Sequence, residues 1–337
     1  MKQIAINGFG RIGRLFLRSA LQTASMNVVA INDLGDIENL AYLFTYDSVY
    51  GKYKGEVKVD GKNLVIDGKS IQFLQERDVT KLPWGALNID VVLECTGVFE
   101  SFEQSNAHIV AGAKHVIISA PAKDNDGVCG GKTILMGIND HEAITCPISS
   151  NASCTTNAAA PVIQIMSESV GVEKAILNTV HAYTATQNIV DGPTKGKDYR
   201  RGRAGAFNIA PSTTGAALAV SRVVKELEGK FDGVAMRVPT IAGSAADVTF
   251  ISKRPTTVEE INTILVNAAK TDRWKETLMV TTDQLVSSDI VGMPYGAVVD
   301  LGFTKVVDGT LVKILSWYDN EAGYVSTLIK HTQKVLG

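Results

Sequence analysis

Residues 2–33 read KQIAINGFGRIGRLFLRSALQTASMNVVAIND, and this stretch decides the fold of the first half of the chain. Lys2 to Ile6 reads as a short apolar strand and Gly8 to Gly13 as a glycine-rich turn. Arg14 to Ala24 reads as a helix with Leu15, Ala20 and Leu21 available for an apolar stripe, and Asn27 to Asn32 returns to strand. Strand, helix and strand in that order make a βαβ unit, which requires a parallel sheet with the helix crossing one face. Further strand signals at Asp90 to Glu94 and His115 to Ser119 flank a helical stretch from Phe102 to Ala111, so the alternation persists.

Gly8, Gly10 and Gly13 form G-x-G-x-x-G between the first strand and its helix, and Asp33 stands 20 residues after Gly13 at the end of the next strand. A lone glycine triplet is more often a chance turn, but strand, helix and acid together make a dinucleotide site. The glycines let the backbone approach a pyrophosphate, whose charge lies against the amides of Arg11, Ile12 and Gly13 at the helix start, and the Asp33 carboxylate accepts ribose hydroxyls. That carboxylate repels a 2'-phosphate and no Arg directly follows it, which favours NAD over NADP. The Arg11 side chain reads two ways, as a loop cation serving either cofactor or as a surface charge serving neither.

From about residue 151 the texture changes. Asn157 to Ser169 suggests a helix, after which Ala175 to His181, Gly233 to Arg237, Asp247 to Ser252 and Ala297 to Gly302 are strands separated by few helices. This predicts an α+β domain on a mainly antiparallel sheet. Helix signals return at Thr257 to Lys270 and Ala322 to Val335. The expected organisation is an N-terminal α/β Rossmann domain over 1–150, completed by 322–337, and a catalytic domain over 151–321. Gln187 to Asn208, polar and carrying Arg200, Arg201 and Arg203, reads as a long functional loop.

The 33 basic and 35 acidic residues give a formal charge of -2, so nothing in the bulk electrostatics calls for nucleic acid or an anionic membrane. Apolar runs such as Val28 to Ile31 and Ala216 to Val220 are far short of the roughly 20 residues that span a bilayer. The start of the chain has no apolar segment with a small-residue cleavage site. Cys95, Cys129, Cys146 and Cys154 form no CxxC pair. A soluble protein of the reducing cytoplasm is expected.

Residues 151–157, Asn-Ala-Ser-Cys-Thr-Thr-Asn, place Cys154 at the entry to a helix, where the helix terminus favours the thiolate. His181 follows at the end of a strand. In isolation an inert buried cysteine and a hydrogen-bonded strand-end histidine are the commoner readings. Here Ser153 to Asn157, His181 to Thr184, Pro211 to Gly215 and Arg237 to Thr240 together supply a nucleophile, a base, anion-binding hydroxyls and a guanidinium.

With these motifs in view, the chain resembles the glyceraldehyde-3-phosphate dehydrogenase family over essentially its whole length. NGFGRIGR (7–14), SNASCTTN (150–157), HAYTATQ (181–187), the Arg-rich loop, STTGAA (212–217), RVPT (237–240) and WYDNE (317–321) occur in that family's order. The resemblance implies oxidation of D-glyceraldehyde 3-phosphate to 1,3-bisphosphoglycerate with NAD and inorganic phosphate, through a hemithioacetal and a thioester on Cys154. It makes His181 the base and gives the substrate's phosphate to Thr184 and Arg237. Ser153, Thr155, Thr214 and Gly215 would bind the attacking phosphate, with Arg201 assisting. Asn320 would fix the nicotinamide carboxamide, Ser119, Arg77 and Thr96 would line the cofactor cleft, and Tyr324 would lie near the nicotinamide ring. It also implies a homotetramer in which the Arg-rich loop packs across subunits.

Two positions depart from the family pattern. Ala158 stands where many members carry a second cysteine, and Ala322 stands where tryptophan is expected, which should leave a cavity or be compensated by neighbours. The competing readings are erythrose-4-phosphate dehydrogenase, aspartate-semialdehyde dehydrogenase, and an NAD-binding regulator without activity. HAYTATQ and RVPT fit the triose enzyme better than the first, the glycine-rich, cysteine and terminal blocks fit the second poorly, and intact Cys154, His181 and Arg237 argue against the third.

Overall fold

The computed structural model describes residues 1–194 and 196–337. It divides into one unit of Met1–Ile134, Asn139–Ala152 and Leu328–Gly337, and a second of Leu135–Ile138 and Ser153–Thr327.

The first unit carries β1 (Lys2–Asn7), α1 (Arg11–Ala20), β2 (Met26–Asn32), α2 (Ile37–Thr45), β3 (Val57–Asp60), β4 (Asn63–Ile66), β5 (Lys69–Leu74), β6 (Val91–Glu94), α3 (Phe102–Val110), β7 (His115–Ile118), β8 (Lys132–Thr133) and β9 (Ile148–Ser150). Its sheet runs in the order β3-β4-β5-β2-β1-β6-β7-β9-β8. Pairing is parallel except in the meander β3-β4-β5. Ile4, Ala5, Ile6, Val91, Val92 and Leu93 are fully buried, which is why these strands read as continuous apolar runs and not as alternation. β1 has β2 on one side and β6 on the other, so the chain switches direction across the sheet there. The crevice beyond the carboxyl ends of β1 and β6 is the expected ligand position in such a sheet. This is a Rossmann-like α/β domain.

The helix α1 starts at Arg11, three residues before the predicted start. Gly10 takes the cap with an extended backbone and its carbonyl accepts the Arg14 amide at 3.0 Å, so Gly13 already lies within the helix. It ends at Ala20 because the Gln22 and Thr23 amides turn back onto Ser19 and Ala20. Two glycines set the geometry. Gly8 has φ +96°, and a Cβ there would lie 2.6 Å from the Thr96 nitrogen; one on Gly13 would lie 2.2 Å from the Gly8 oxygen.

The second unit carries α4 (Cys154–Ser169), β10 (Val172–Ala182), β11 (Ala210–Thr213), α5 (Ala216–Val223), β12 (Phe231–Val238), β13 (Ser244–Ser252), α6 (Val258–Ala269), β14 (Leu278–Thr281), β15 (Ala297–Val307) and β16 (Leu311–Tyr318), and the start of α7 (Ala322–Leu336). The sheet order is β11-β12-β10-β13-β16-β15-β14. β10/β12 and β14/β15 are parallel and the other four pairings antiparallel, a mixed sheet of mainly antiparallel character. The helix α4 begins at Cys154 and not at Asn157, because the Ser153 side chain caps it by accepting the Thr156 amide. Ala158, Ala159, Ala160, Val162, Ile163 and Met166 are buried, the pattern of a helix enclosed by its own unit.

The loop 187–208 folds on itself. Gly192 donates to the Gly202 carbonyl at 2.8 Å and Gly205 to the Asn188 carbonyl at 2.9 Å, while Arg203 pairs with Asp191. At the start of α7 Asp319 Oδ1 accepts the Glu321 and Ala322 amides, and Oδ2 accepts Gly292. Ala322 itself is only half-buried. The cost of about 3 to 5 kcal/mol for emptying an enclosed aromatic site therefore does not arise within this chain.

Two outcomes follow from the first unit. Gly8→Ala forces a left-handed backbone onto an L-residue and a Cβ into the Thr96 backbone, and should lower unfolding free energy by at least about 1 to 3 kcal/mol, read by urea denaturation. Burial holds His115 at about 4 and His331 at about 3, against 6.5 ordinarily. Below pH 6.5 the unfolded chain takes up these protons while the folded chain does not. Stability should thus fall as pH drops from 6.5 towards 4, by up to about 1.4 kcal/mol per histidine per pH unit, and His331→Gln should flatten that slope.

Candidate active site

The first unit holds a cleft of about 480 Å³ lined by Gly8, Gly10, Asp33, Arg77 and Thr96, together with Asn7, Asn32, Glu76 and Cys95. Asp33 is fixed at its rim: Oδ2 accepts the Phe9 amide at 2.7 Å and Oδ1 the Gly35 amide at 2.8 Å. A carboxylate has about four lone-pair sites, so capacity remains for ribose hydroxyls. The close backbone approach at Gly8 and Gly13 is the cradle that a pyrophosphate needs, and the site fits NAD. The Arg11 guanidinium is spent elsewhere, on Asp47 Oδ2 at 2.5 Å. Burial would raise the Asp47 carboxyl, but the Arg11 bond and the Tyr50 and Val49 amides outweigh it and leave it below the usual range. Ile12 lies half-buried in the first turn of α1, and Ser119 donates its amide to the Glu94 carbonyl at 2.9 Å.

Glu94 went unnoticed in the sequence. It is buried, and Oε1 receives the Thr96 amide at 2.7 Å as well as the Thr96 hydroxyl, while Oε2 receives Asn7 Nδ2 at 2.6 Å. His108 Nε2 lies 3.1 Å from Oε2. The Trp84 indole N–H points at His108 Nδ1 at 3.0 Å, which leaves the ring proton on Nε2 for Glu94. This buried network fixes Thr96 against Gly8.

In the second unit Cys154 is the first residue of α4 and its Sγ lies 3.4 Å from His181 Nε2. β10 and β12 run in parallel register with His181 opposite Arg237. His181 Nδ1 is 2.6 Å from the Ala182 carbonyl oxygen and 2.6 Å from Arg237 Nη1, which also reaches that oxygen at 3.1 Å. Tyr318, which the sequence reading did not single out within WYDNE, presents its ring edge to His181 at 5.9 Å. Its hydroxyl lies between Thr155 Oγ1 at 2.7 Å and Thr179 Oγ1 at 2.8 Å. Thr155 therefore divides its hydroxyl between the core and the Cys154 thiol.

Arg237 and Arg201 converge with Gln187, Arg200, Pro211 and Ser212 on a narrow crevice with no room for a water molecule. Arg201 Nη1 donates to Thr186 Oγ1 at 3.0 Å, and Thr186 shares a 2.9 Å hydroxyl contact with Thr184. Ser153 and Thr156 hydroxyls meet at 2.7 Å. Thr214 accepts the Ala216 amide at 3.2 Å and Gly215 caps α5. Asn320 Oδ1 accepts Ser244 Oγ at 3.1 Å, and Tyr324 is buried in the first turn of α7.

The thiol departs from expectation. Burial pushes Cys154 up, opposed by the Arg237 charge and Thr155, with a net rise. A helix terminus contributes about 0.3 to 1 kcal/mol, whereas desolvation moves a buried group by up to several pH units, so burial wins. His181 is pushed down to about 3 by burial and by Arg237. Cys95 and Cys146 are also raised, to about 12 and about 11, by burial.

Known sequences resemble both units of the chain. Residues 2–102 match the family model described as glyceraldehyde 3-phosphate dehydrogenase, NAD binding domain, and residues 153–320 the one described as glyceraldehyde 3-phosphate dehydrogenase, C-terminal domain. The glyceraldehyde-3-phosphate dehydrogenase of Clostridium pasteurianum is 48% identical over 334 residues, covering 98% of this chain and 97% of its own. Glyceraldehyde-3-phosphate dehydrogenase 1 of Bacillus subtilis is 46% identical, with 97% and 96% covered, and glyceraldehyde-3-phosphate dehydrogenase 2 of Kluyveromyces marxianus 44%, with 98% and 97% covered. With a dinucleotide cleft in one unit, a thiol and imidazole in contact in the other, and likeness running through both, this chain belongs to the glyceraldehyde-3-phosphate dehydrogenase family.

Proposed function

We propose that this chain oxidises D-glyceraldehyde 3-phosphate to 1,3-bisphosphoglycerate, with NAD and inorganic phosphate, through a thioester on Cys154. The observation that carries the reading is the 3.4 Å contact of Cys154 Sγ with His181 Nε2 beside a crevice faced by Arg237 and Arg201, in a chain of this family. Residues 1–150 with 322–337 hold the cofactor, through the Gly8 to Gly13 turn, Asp33, Arg77, Thr96 and Ser119, while residues 151–321 carry the chemistry.

Arg237 and Thr184 hold the substrate's phosphate, placing the aldehyde carbon against Sγ. Sγ attacks that carbon, its proton passes to His181 Nε2 and on to the aldehyde oxygen, and a hemithioacetal forms. NAD, when bound, supplies the acceptor for the hydride that leaves this carbon. His181 Nε2 takes the hydroxyl proton, and a thioester remains on Sγ. Inorganic phosphate held by Ser153, Thr155, Thr214 and Gly215, with Arg201 near, attacks the thioester carbonyl and leaves as the acyl phosphate, returning the thiolate. A thioester retains oxidation energy that an ester or free acid would lose, which is what makes the acyl phosphate reachable. Asn320, anchored by Ser244, and buried Tyr324 serve the nicotinamide end of the cofactor.

A cytoplasmic homotetramer is part of this reading. Ile189, Tyr199 and Phe207 are 88%, 77% and 85% exposed in the loop 187–208; large apolar side chains gathered on one loop suit a subunit interface. The free cysteines, none in a disulfide among the described residues, suit a reducing compartment.

In an assay of NADH formation, glyceraldehyde 3-phosphate with NAD should turn over in a phosphate-dependent manner and faster than erythrose 4-phosphate, and Cys154→Ser should lose at least about 10³-fold. Preference for the tetrose, or an unaffected Cys154→Ser enzyme, would overturn the assignment. Light scattering should give the mass of four chains, and Phe207→Asp should lower it; a monomeric wild type would remove the tetramer from the proposal.

A further inference from the structure

The hydrogen bonds beneath the cofactor cleft have their direction set by backbone at both ends. At one end Asn32 lies against the Glu76 backbone, its Oδ1 accepting the Glu76 amide at 2.9 Å and its Nδ2 donating to the Glu76 carbonyl at 2.9 Å. Backbone N–H and C=O cannot exchange roles, so this contact fixes which way the Asn32 amide points. The second Nδ2 hydrogen goes to Asn7 Oδ1 at 2.7 Å, which leaves Asn7 Nδ2 to donate to Glu94 Oε2 at 2.6 Å. At the other end Thr96 gives Glu94 Oε1 its backbone amide at 2.7 Å and its hydroxyl hydrogen.

A third arm arrives through α3. The Trp84 indole has only a hydrogen to give, so His108 Nδ1 accepts it at 3.0 Å and the ring proton sits on Nε2, 3.1 Å from Glu94 Oε2. Asn7 Nδ2, 3.5 Å from that nitrogen, is a donor as well and is turned to the carboxylate. All three arms therefore end in hydrogens at Glu94, and each starts from a group that cannot be reversed: the Thr96 amide, the Glu76 backbone or the Trp84 indole. Only a side chain that accepts at both of its terminal atoms meets them. An amide in its place sets hydrogen against hydrogen in at least one arm, and turning Asn7 and Asn32 over only moves the conflict to the Glu76 backbone.

This arrangement decides what the cleft shows to a ligand. Asn32 and Thr96 both line it. Both Asn32 hydrogens are used on Asn7 and Glu76, and the Thr96 hydroxyl, having given its hydrogen to Glu94, accepts the Val98 amide at 3.0 Å. What these two side chains still offer is lone pairs. We infer that Glu94, buried and absent from the cleft wall, is a positioning residue for the cofactor: it sets Asn32 and Thr96 as acceptors, so that NAD is held there through hydroxyl hydrogens of a ribose, and a group bringing only lone pairs is refused. The inference concerns the cofactor alone and does not depend on the identity of the aldehyde or on Cys154.

The test measures NAD binding to the full-length protein by calorimetry, which needs no turnover. Glu94→Gln should weaken NAD at least about tenfold, the cost of a buried donor left unpaired. Adding Asn7→Asp to Glu94→Gln should recover part of that loss, because the new carboxylate accepts from both neighbours while the His108 arm stays mismatched. NAD analogues with fluorine in place of a ribose hydroxyl do not donate; at one of the two riboses the wild type should bind the analogue at least about tenfold more weakly than NAD, and Glu94→Gln should remove most of that difference. In wild type labelled with 15N at asparagine, the Asn32 side-chain hydrogens, identified with Asn32→Asp, should exchange slowly and stay slow when NAD is added. Unchanged NAD affinity in Glu94→Gln, a folded double variant no tighter than the single one, a fluorine effect that Glu94→Gln leaves intact, or rapidly exchanging Asn32 hydrogens in the wild type overturns the inference. The wild-type signals decide it even if Glu94→Gln fails to fold. Absence of turnover with glyceraldehyde 3-phosphate would overturn the proposed function and leave the role of Glu94 to these binding measurements.

Discussion

The parallel pairing of β10 with β12, which sets His181 opposite Arg237, is the constraint on which the chemistry of the second unit depends. Neighbouring strands lie about 4.8 Å apart, so two long polar side chains at paired positions on one face must meet. An arginine beside a histidine near a sheet end is an unfavourable pairing of like charges when both are protonated. It is tolerable only if the imidazole stays neutral, and burial enforces that by holding His181 at about 3. The same burial raises the thiol, against the pull of the Arg237 charge.

Tyr318 stabilises this corner from below. Its hydroxyl joins Thr155 of α4 to Thr179 of β10, tying the helix that starts with Cys154 to the strand that ends with His181. The geometry of thiol against imidazole is thereby fixed by a hydrogen-bonded tie in the core of the unit. In the first unit Glu94 has the corresponding part, binding Thr96 by amide and hydroxyl where the backbone of Gly8 leaves no room for a side chain. A buried carboxylate is costly unless several donors meet it, and Asn7, Thr96 and His108 are those donors.

What could be read from sequence was whatever has a local signature. The G-x-G-x-x-G turn, Asp33 and the apolar strands β1, β6 and β7 follow from glycine stereochemistry and from burial on both faces. Cys154 and His181 stood out only through the polar motifs around them. Glu94, His108 and Tyr318 had no such signature, because their significance comes from partners far along the chain: His108 meets Trp84, and Tyr318 meets Thr155 across 163 positions. The early start of α4 turned on one cap, Ser153, whose spacing to Thr156 was legible but was passed over. At Cys154 the helix start does pull the thiol down, through the amides of Cys154 and Thr155, and burial opposes it with a net rise; a helix terminus can be seen in sequence, whereas burial cannot.

Burial opposes charge on both members of the pair, raising the Cys154 thiol and lowering the His181 imidazole, while the Arg237 charge favours a thiolate and disfavours an imidazolium. Desolvation also strengthens every electrostatic interaction within the site, so the thiol answers to the charges set against it by β12 more than to the helix start at which it stands.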